Sequence, residues 1–404
     1  MIRAAASPPR LLTLVLLTAL SVLSLNMFVP SLPNIAKDLE ADYALASLSI
    51  AGYLATTAVL QLIMGPLSDR FGRRPVLLAG LMIFILASLG CALATGIWTF
   101  LVFRILQGAI ISGAALSRAV IRDMVPPREA ASLMGYVGMA MAVAPMLGPL
   151  LGGVLDELFG WRASFFAFLA MGIAVLGLCW VDLGETNQAP AETFMKQFRS
   201  YPELFRSRRF WGYALCMMFS TGAFYAFLAG APLLAAASFG MSPASLGFCL
   251  GTITAGFALG SYLSGRYAQR YSLAVMMIAG RVVACAGLLA GLALFLAGFV
   301  HPVSLFGATI FVGIGNGLTM PSSNAGALSV RPHLAGSAAG LSGALTVGAG
   351  AVLTSITGAI LTEENGAYAL LGMMLLSTVL ALLAALQVFR LDLNGERESL
   401  EAGA

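Results

Sequence analysis

Gly65-Pro-Leu-Ser-Asp-Arg-Phe-Gly-Arg-Arg-Pro75 is a glycine-rich, charge-dense stretch wedged between two apolar segments, each long enough to cross a bilayer. Gly and Pro suit a tight reversal between helices, and arginines stay on the cytoplasmic side because carrying them across a membrane is costly. The stretch therefore reads as a turn joining two spanning helices. Topology alone accounts for its arginines but not for the placement of Asp69 among Arg70, Arg73 and Arg74.

Working outward, the 404 residues are 59% hydrophobic and only 10% charged. Soluble domains carry about 25% charged residues, so that class is excluded. A spanning helix needs roughly 20 apolar residues, and twelve such blocks fit near 11–33, 46–66, 75–95, 98–120, 129–154, 161–181, 210–234, 243–265, 273–297, 303–324, 335–361 and 366–389. The expected fold is an all-α membrane protein of twelve transmembrane helices in two six-helix bundles.

Lys and Arg accumulate in cytoplasmic loops, which sets orientation. With both termini cytoplasmic, Lys37 and Arg162 fall outside, whereas Arg70, Arg73, Arg74, Arg128, Arg206, Arg208, Arg209, Arg266, Arg270, Arg331 and Arg390 fall inside. The net charge of +4 then records topology and not a nucleic-acid partner. Residues 11–25 could pass for a secretory signal, but no small-x-small cleavage site follows and Asn26 to Pro33 continues the span. The five cysteines lie singly inside predicted helices, and His301 and His333 gather no metal cluster.

The longest polar stretch, 183–209, reads as a cytoplasmic linker between an N-terminal bundle, 1–182, and a C-terminal bundle, 210–404. A weaker copy of the opening turn, Gly260-Ser-Tyr-Leu-Ser-Gly-Arg-Tyr-Ala-Gln-Arg270, occupies the matching place in the second half. Parallel repeats of this kind put a substrate site near the midplane.

Arg104 falls within the fourth span, where a charge costs about 2.5–3.5 kcal/mol even on lenient scales. Gln107 and Gly108 share its helical face. Either Arg104 ties helices together through carbonyls, or it handles substrate or proton; the second reading is the stronger. In the fifth span Pro145 and Pro149 stand one turn apart, with Gly148, Gly152 and Gly153 beside them, so kinks and small residues allow a neighbour to come close. Further polar positions inside spans are Asn26, the stripe Tyr53, Thr57 and Gln61, then Tyr225, Asn316 and Asn324. Acidic residues lie only in loops or at span ends, so no mid-membrane carboxylate offers an evident proton carrier. Nothing resembles a phosphate loop, a metal site or a nucleophile triad, and no enzyme activity or bound cofactor is expected.

These residues resemble the major facilitator superfamily over about 11–390, and within it the Bcr/CflA-type multidrug efflux branch. Gly65, Asp69, Arg70, Gly72, Arg73 and Arg74 match the family's loop signature; Arg104, Gln107 and Gly108 match its fourth-span motif. Gly148-Pro149 with Gly152-Gly153 is similar to the fifth-span motif of antiporters. The resemblance implies a proton-coupled exporter of the bacterial inner membrane, working by alternating access on small-molecule substrates as a monomer in the lipid bilayer. Asp69 would cap the start of span 11 in one state, with Arg73 pairing to Asp123. One departure stands out: Asn26 and Phe28 replace the branch's Asp and Tyr, so the usual protonation site is an amide. The alternatives are an uncoupled facilitator or importer of a small organic anion and, from another class, a non-transporting receptor or scaffold.

Overall fold

The computed structural model describes residues 9–124, 127–187, 201–267, 270–331, 334–362 and 365–402. Residues 188–200 of the 183–209 linker, His333, Glu363 and Glu364 lie outside them.

The described chain is a succession of helices. The first span is α1 (Leu11–Asn26), a 3-10 turn (Val29–Ser31) and α2 (Leu32–Asp38). It breaks where Pro30 and Pro33 lack an N–H and disfavour helix at the residue before them. Then follow α3 (Tyr43–Phe71), α4 (Arg73–Ala92), α5 (Ile97–Gln107), a 3-10 turn (Gly108–Ile110), α6 (Ile111–Met124), α7 (Pro127–Phe159) and α8 (Arg162–Asp182). After a short α9 (Tyr201–Phe205) come α10 (Arg208–Ala237), α11 (Pro243–Tyr267), α12 (Leu273–Leu296), α13 (Pro302–Ser329), α14 (Ala335–Ile360) and α15 (Gly366–Ala402). Among the described residues eleven helical segments are long and apolar enough to cross a membrane. The 33-residue α7, which carries Pro145 and Pro149 inside it, is a further long helix. Large apolar side chains such as Trp98, Trp180, Phe248 and Leu383 stand exposed on the outer faces, as multi-pass membrane proteins require.

The structure corrects the expectation that the whole stretch 65–75 is the turn. α3 continues through Pro66 to Phe71, and the chain reverses at Gly72 alone, whose φ of 96° is open to glycine. A side chain there would also collide with Glu185, whose Oε2 lies 2.4 Å from the position of a Cβ. Glu185 explains why one residue suffices: its carboxylate accepts from the first N–H groups of α4, at Arg73 (2.9 Å) and Arg74 (3.2 Å). Asn187 Nδ2 in turn donates to the Asp69 carbonyl at the end of α3, at 2.7 Å. The two exposed helix ends are thus satisfied by one segment, 185–187, at the beginning of the stretch read as linker.

Packing divides the chain into two compact units, Met1–Gln197 with Ala235–Gly251, and Phe198–Leu234 with Thr252–Ala404. The first is centred on edge-to-face aromatic contacts: Phe165 meets Phe100 at 5.4 Å, Trp161 at 5.8 Å and Phe168 at 5.8 Å. Such pairs add about 0.5–1.5 kcal/mol each beyond area burial. In the second, α12 and α13 approach backbone to backbone at Gly280 and Gly315.

Candidate functional site

Arg104 lies near the end of α5, fully buried, 0% exposed. Its Nη1 donates to the Ser24 carbonyl of α1 at 3.2 Å and to Gln107 Oε1. That fixes the Gln107 amide, whose Nε2 donates to Ser88 Oγ of α4 at 2.7 Å. The charge has no carboxylate beside it among the described residues. Instead its guanidinium carbon stands 4.0 Å from the Phe28 ring centre, 4.8 Å from Tyr53 and 5.9 Å from Phe165. A desolvated cation over an aromatic face gains about 2 kcal/mol, so the rings partly replace a counter-ion. The Tyr53 hydroxyl closes the network, 2.5 Å from Ser24 Oγ and donating to the Ser21 carbonyl at 3.2 Å. Arg104 Nε and Nη2 remain buried without an acceptor.

The break after α5 serves this network. Gly108 comes against α3, where an added Cβ would lie 3.0 Å from Thr56 Cγ2, and Ser21 Oγ donates to the Ile110 carbonyl at 2.8 Å. Other sequence candidates join only in part. Asn26 Nδ2 donates to the Val22 carbonyl at 2.9 Å, and its Oδ1 is buried without a donor. Of the α3 stripe, Tyr53 belongs to the network, whereas Thr57 Oγ1 and Gln61 Oε1 are buried and unpartnered.

On α7, Gly152 meets the break in the first span. A Cβ there would fall 1.5 Å from the Met27 carbonyl oxygen, and one at Gly148 would lie 3.2 Å from Leu23 Cδ2. Gly153 faces the start of α11 within the same unit, 2.2 Å from the Pro243 carbonyl by the same measure, and Gly247 of α11 comes against the Pro149 carbonyl.

The charged end of α3 and α4 forms a second cluster. Arg73, buried, binds Asp69 Oδ1 at 2.5 Å and Asp123 Oδ2 of α6 at 3.1 Å, and donates to Ser68 Oγ. Arg70 lies over Phe71, Arg74 donates to the Trp180 carbonyl at 2.9 Å, and the Gly65 carbonyl accepts from Ser68 Oγ.

In the second unit, Asn316 Oδ1 accepts from Arg281 Nη2 at 2.8 Å. Tyr225 is buried with its ring against Gly350, and Asn324 is exposed on α13. Arg281 was absent from the sequence candidates, although it carries the signal that singled out Arg104, a charge inside a predicted span. Glu185 and Asn187 had no local signal, because a capping role appears only once the chain has folded back. Among the described residues no three His, Cys, Asp or Glu side chains gather to hold a metal.

The sequence profile of the Major Facilitator Superfamily matches residues 14–354. The chain is similar to multidrug resistance protein D of Escherichia coli, 30% identical over 370 residues, spanning 89% of this chain and 91% of that protein. It is also similar to a chloramphenicol resistance protein of Pseudomonas aeruginosa, 32% identical over 326 residues, 78% of this chain and 76% of that one. In fold it resembles a crystal structure of the peptide transporter POT, with a TM-score of 0.76 and 16% identity over 95% of this chain and 97% of that one. A family match over most of the length, on a chain of membrane-spanning helices with a buried arginine network, makes this protein a transporter of the major facilitator superfamily and not an enzyme.

Proposed function

We propose that the protein exports small drugs or metabolites across the bacterial inner membrane by alternating access, as a monomer with both termini cytoplasmic and with the proton as counter-ion. The observation that carries this reading is the Arg104 network. A buried guanidinium, an oriented amide and a tyrosine hydroxyl converge inside a spanning unit, and two guanidinium nitrogens lack an acceptor. Intramembrane charge of this kind marks a substrate or ion path by default. The Arg73 cluster supports a gating role, because one cation there holds carboxylates from two places in the chain, Asp69 and Asp123. The names of relatives, multidrug and chloramphenicol resistance proteins, point to drugs as the cargo.

A second reading, an uncoupled facilitator or importer of an organic anion, draws on one observation. Asn26 is an amide that cannot titrate, held by the Val22 carbonyl, where the efflux branch has a carboxylate.

The test is a susceptibility panel in an efflux-deficient bacterium expressing the protein or Arg104→Ala, challenged with cationic, neutral, zwitterionic and anionic antimicrobials. Resistance that the variant loses supports export. No resistance to any compound, with protein present in the membrane, favours the second reading.

A further inference from the structure

Arg281 lies in the body of α12 and is 0% exposed. Two of its nitrogens are engaged by α13: Nε donates to Thr319 Oγ1 at 3.0 Å and Nη2 to Asn316 Oδ1 at 2.8 Å. Thr319 Oγ1 in turn donates to the Met277 carbonyl at 3.3 Å. The third nitrogen, Nη1, is buried with no partner.

It is not alone. The hydroxyls of Ser220 on α10 and Ser323 on α13 both reach the Cys216 thiol, and the Arg281 charge acts on the same thiol. Cys216, Ser220 and Ser323 are each 0% exposed, and neither hydroxyl finds a hydrogen bond of ordinary geometry. Thr221, next to Ser220, reaches Met320, next to Thr319, at 3.8 Å, so the two unsatisfied hydroxyls lie in the same buried region between helices as the Arg281 guanidinium. Buried donors ordinarily have acceptors, and buried charges ordinarily have counter-ions.

Among the described residues neither is found beside Arg281 Nη1. No Asp or Glu occurs between Glu203 and Glu363. Glu203 and Asp392 are taken by Arg331 at 2.9 Å and Arg209 at 2.7 Å. Aromatic rings, which compensate Arg104, do not help: among the described residues the cations over rings are Arg70, Arg74, Arg104 and Arg162.

We propose that the Arg281 Nη1, with the Ser220 and Ser323 hydroxyls, forms a buried site in the second unit for one small monovalent anionic group, a free halide-sized ion or the carboxylate of a substrate. One fixed positive charge and neutral donors match a single negative charge, and Asn316 and Thr319 hold the guanidinium so that Nη1 stays free to donate.

The full-length protein in detergent is titrated with chloride replacing gluconate, an anion too bulky for a buried site, at constant ionic strength while thermal unfolding is followed. Saturable stabilisation of the wild type is expected, absent in Arg281→Gln and partly restored in Arg281→Lys. Should Arg281→Gln not fold, the Ser220→Ala/Ser323→Ala double variant is expected to weaken the chloride midpoint on the order of 3–10-fold, and an unchanged midpoint overturns the site. In proteoliposomes KM is measured for carboxyfluorescein and for ethidium. This arm rests on the export reading and the chloride arm does not, so the two can fail separately.

A rise in KM on the order of 10-fold for carboxyfluorescein alone in Arg281→Gln assigns the site to a substrate carboxylate. Chloride stabilisation without that shift assigns it to a resident inorganic anion. A wild type indifferent to chloride and without a charge-selective KM change overturns the site, as does equal loss for both dyes without a chloride effect, which marks Arg281 as a helix brace. An ordered water in place of an anion gives this indifferent result.

Discussion

Arg73 Nε meets Asp123 Oδ2 at 3.1 Å, joining the first turn of α4 to the last turn of α6 across fifty residues of sequence. The same guanidinium holds Asp69 at 2.5 Å, so one cation restrains the ends of three helices, α3, α4 and α6. Removing it takes this cation away from both carboxylates. Arg73→Ala should lower stability by about 2 kcal/mol, less than the roughly 3–5 kcal/mol typical of a fully buried pair because Asp69 is partly exposed. Thermal unfolding of Arg73→Ala, Asp123→Ala and the double variant should show coupling; additive losses would mean that the pair is idle.

Glu185 should matter to stability although it lies just past the last predicted span of the first bundle. Glu185→Ala uncaps the N–H groups of Arg73 and Arg74 and should cost about 1 kcal/mol, with Glu185→Gln recovering part of it. The melting temperature in detergent is the readout, and an unchanged value would place the cap outside the energetics of the turn.

Gly152→Ala should be among the least tolerated small changes in the chain, because its Cβ would overlap the Met27 carbonyl. Overpacking costs about 1–3 kcal/mol where the backbone can yield. Gly177→Ala on α8, with nothing within 4 Å of the added atom, is the matched control. Membrane abundance and transport should fall for the first variant and not for the second.

Asn26→Asp should make transport more steeply pH-dependent, since it adds a titrating group at a buried position that now carries an unpartnered amide oxygen. Transport measured from pH 5.5 to 8.5 in wild type and variant decides this. Superimposable profiles would remove position 26 from the pathway.

Much of this architecture is legible in the chain. Apolar blocks place the helices, and an isolated charge in a span points at Arg104. What the sequence hides is how that charge is held. Phe165 sits in an ordinary apolar run, and only folding brings its ring near the guanidinium. The 65–75 stretch misleads for a local reason: Gly and Pro signal reversal, yet Pro66 is accommodated within α3 and the reversal needs Gly72 alone. Asn324 reads as a cavity residue by polarity, but it is exposed, whereas Asn316 two turns earlier accepts from Arg281.

The most direct measurement is uptake of a labelled compound to which the susceptibility panel shows resistance, by inside-out membrane vesicles under an imposed inward-acid pH gradient, with wild type and Arg104→Ala at equal abundance. Our account predicts accumulation by the wild type that collapses with the gradient, and none above background for Arg104→Ala. Equal uptake by the two proteins, or wild-type uptake indifferent to the gradient, would contradict proton-coupled export through the Arg104 network.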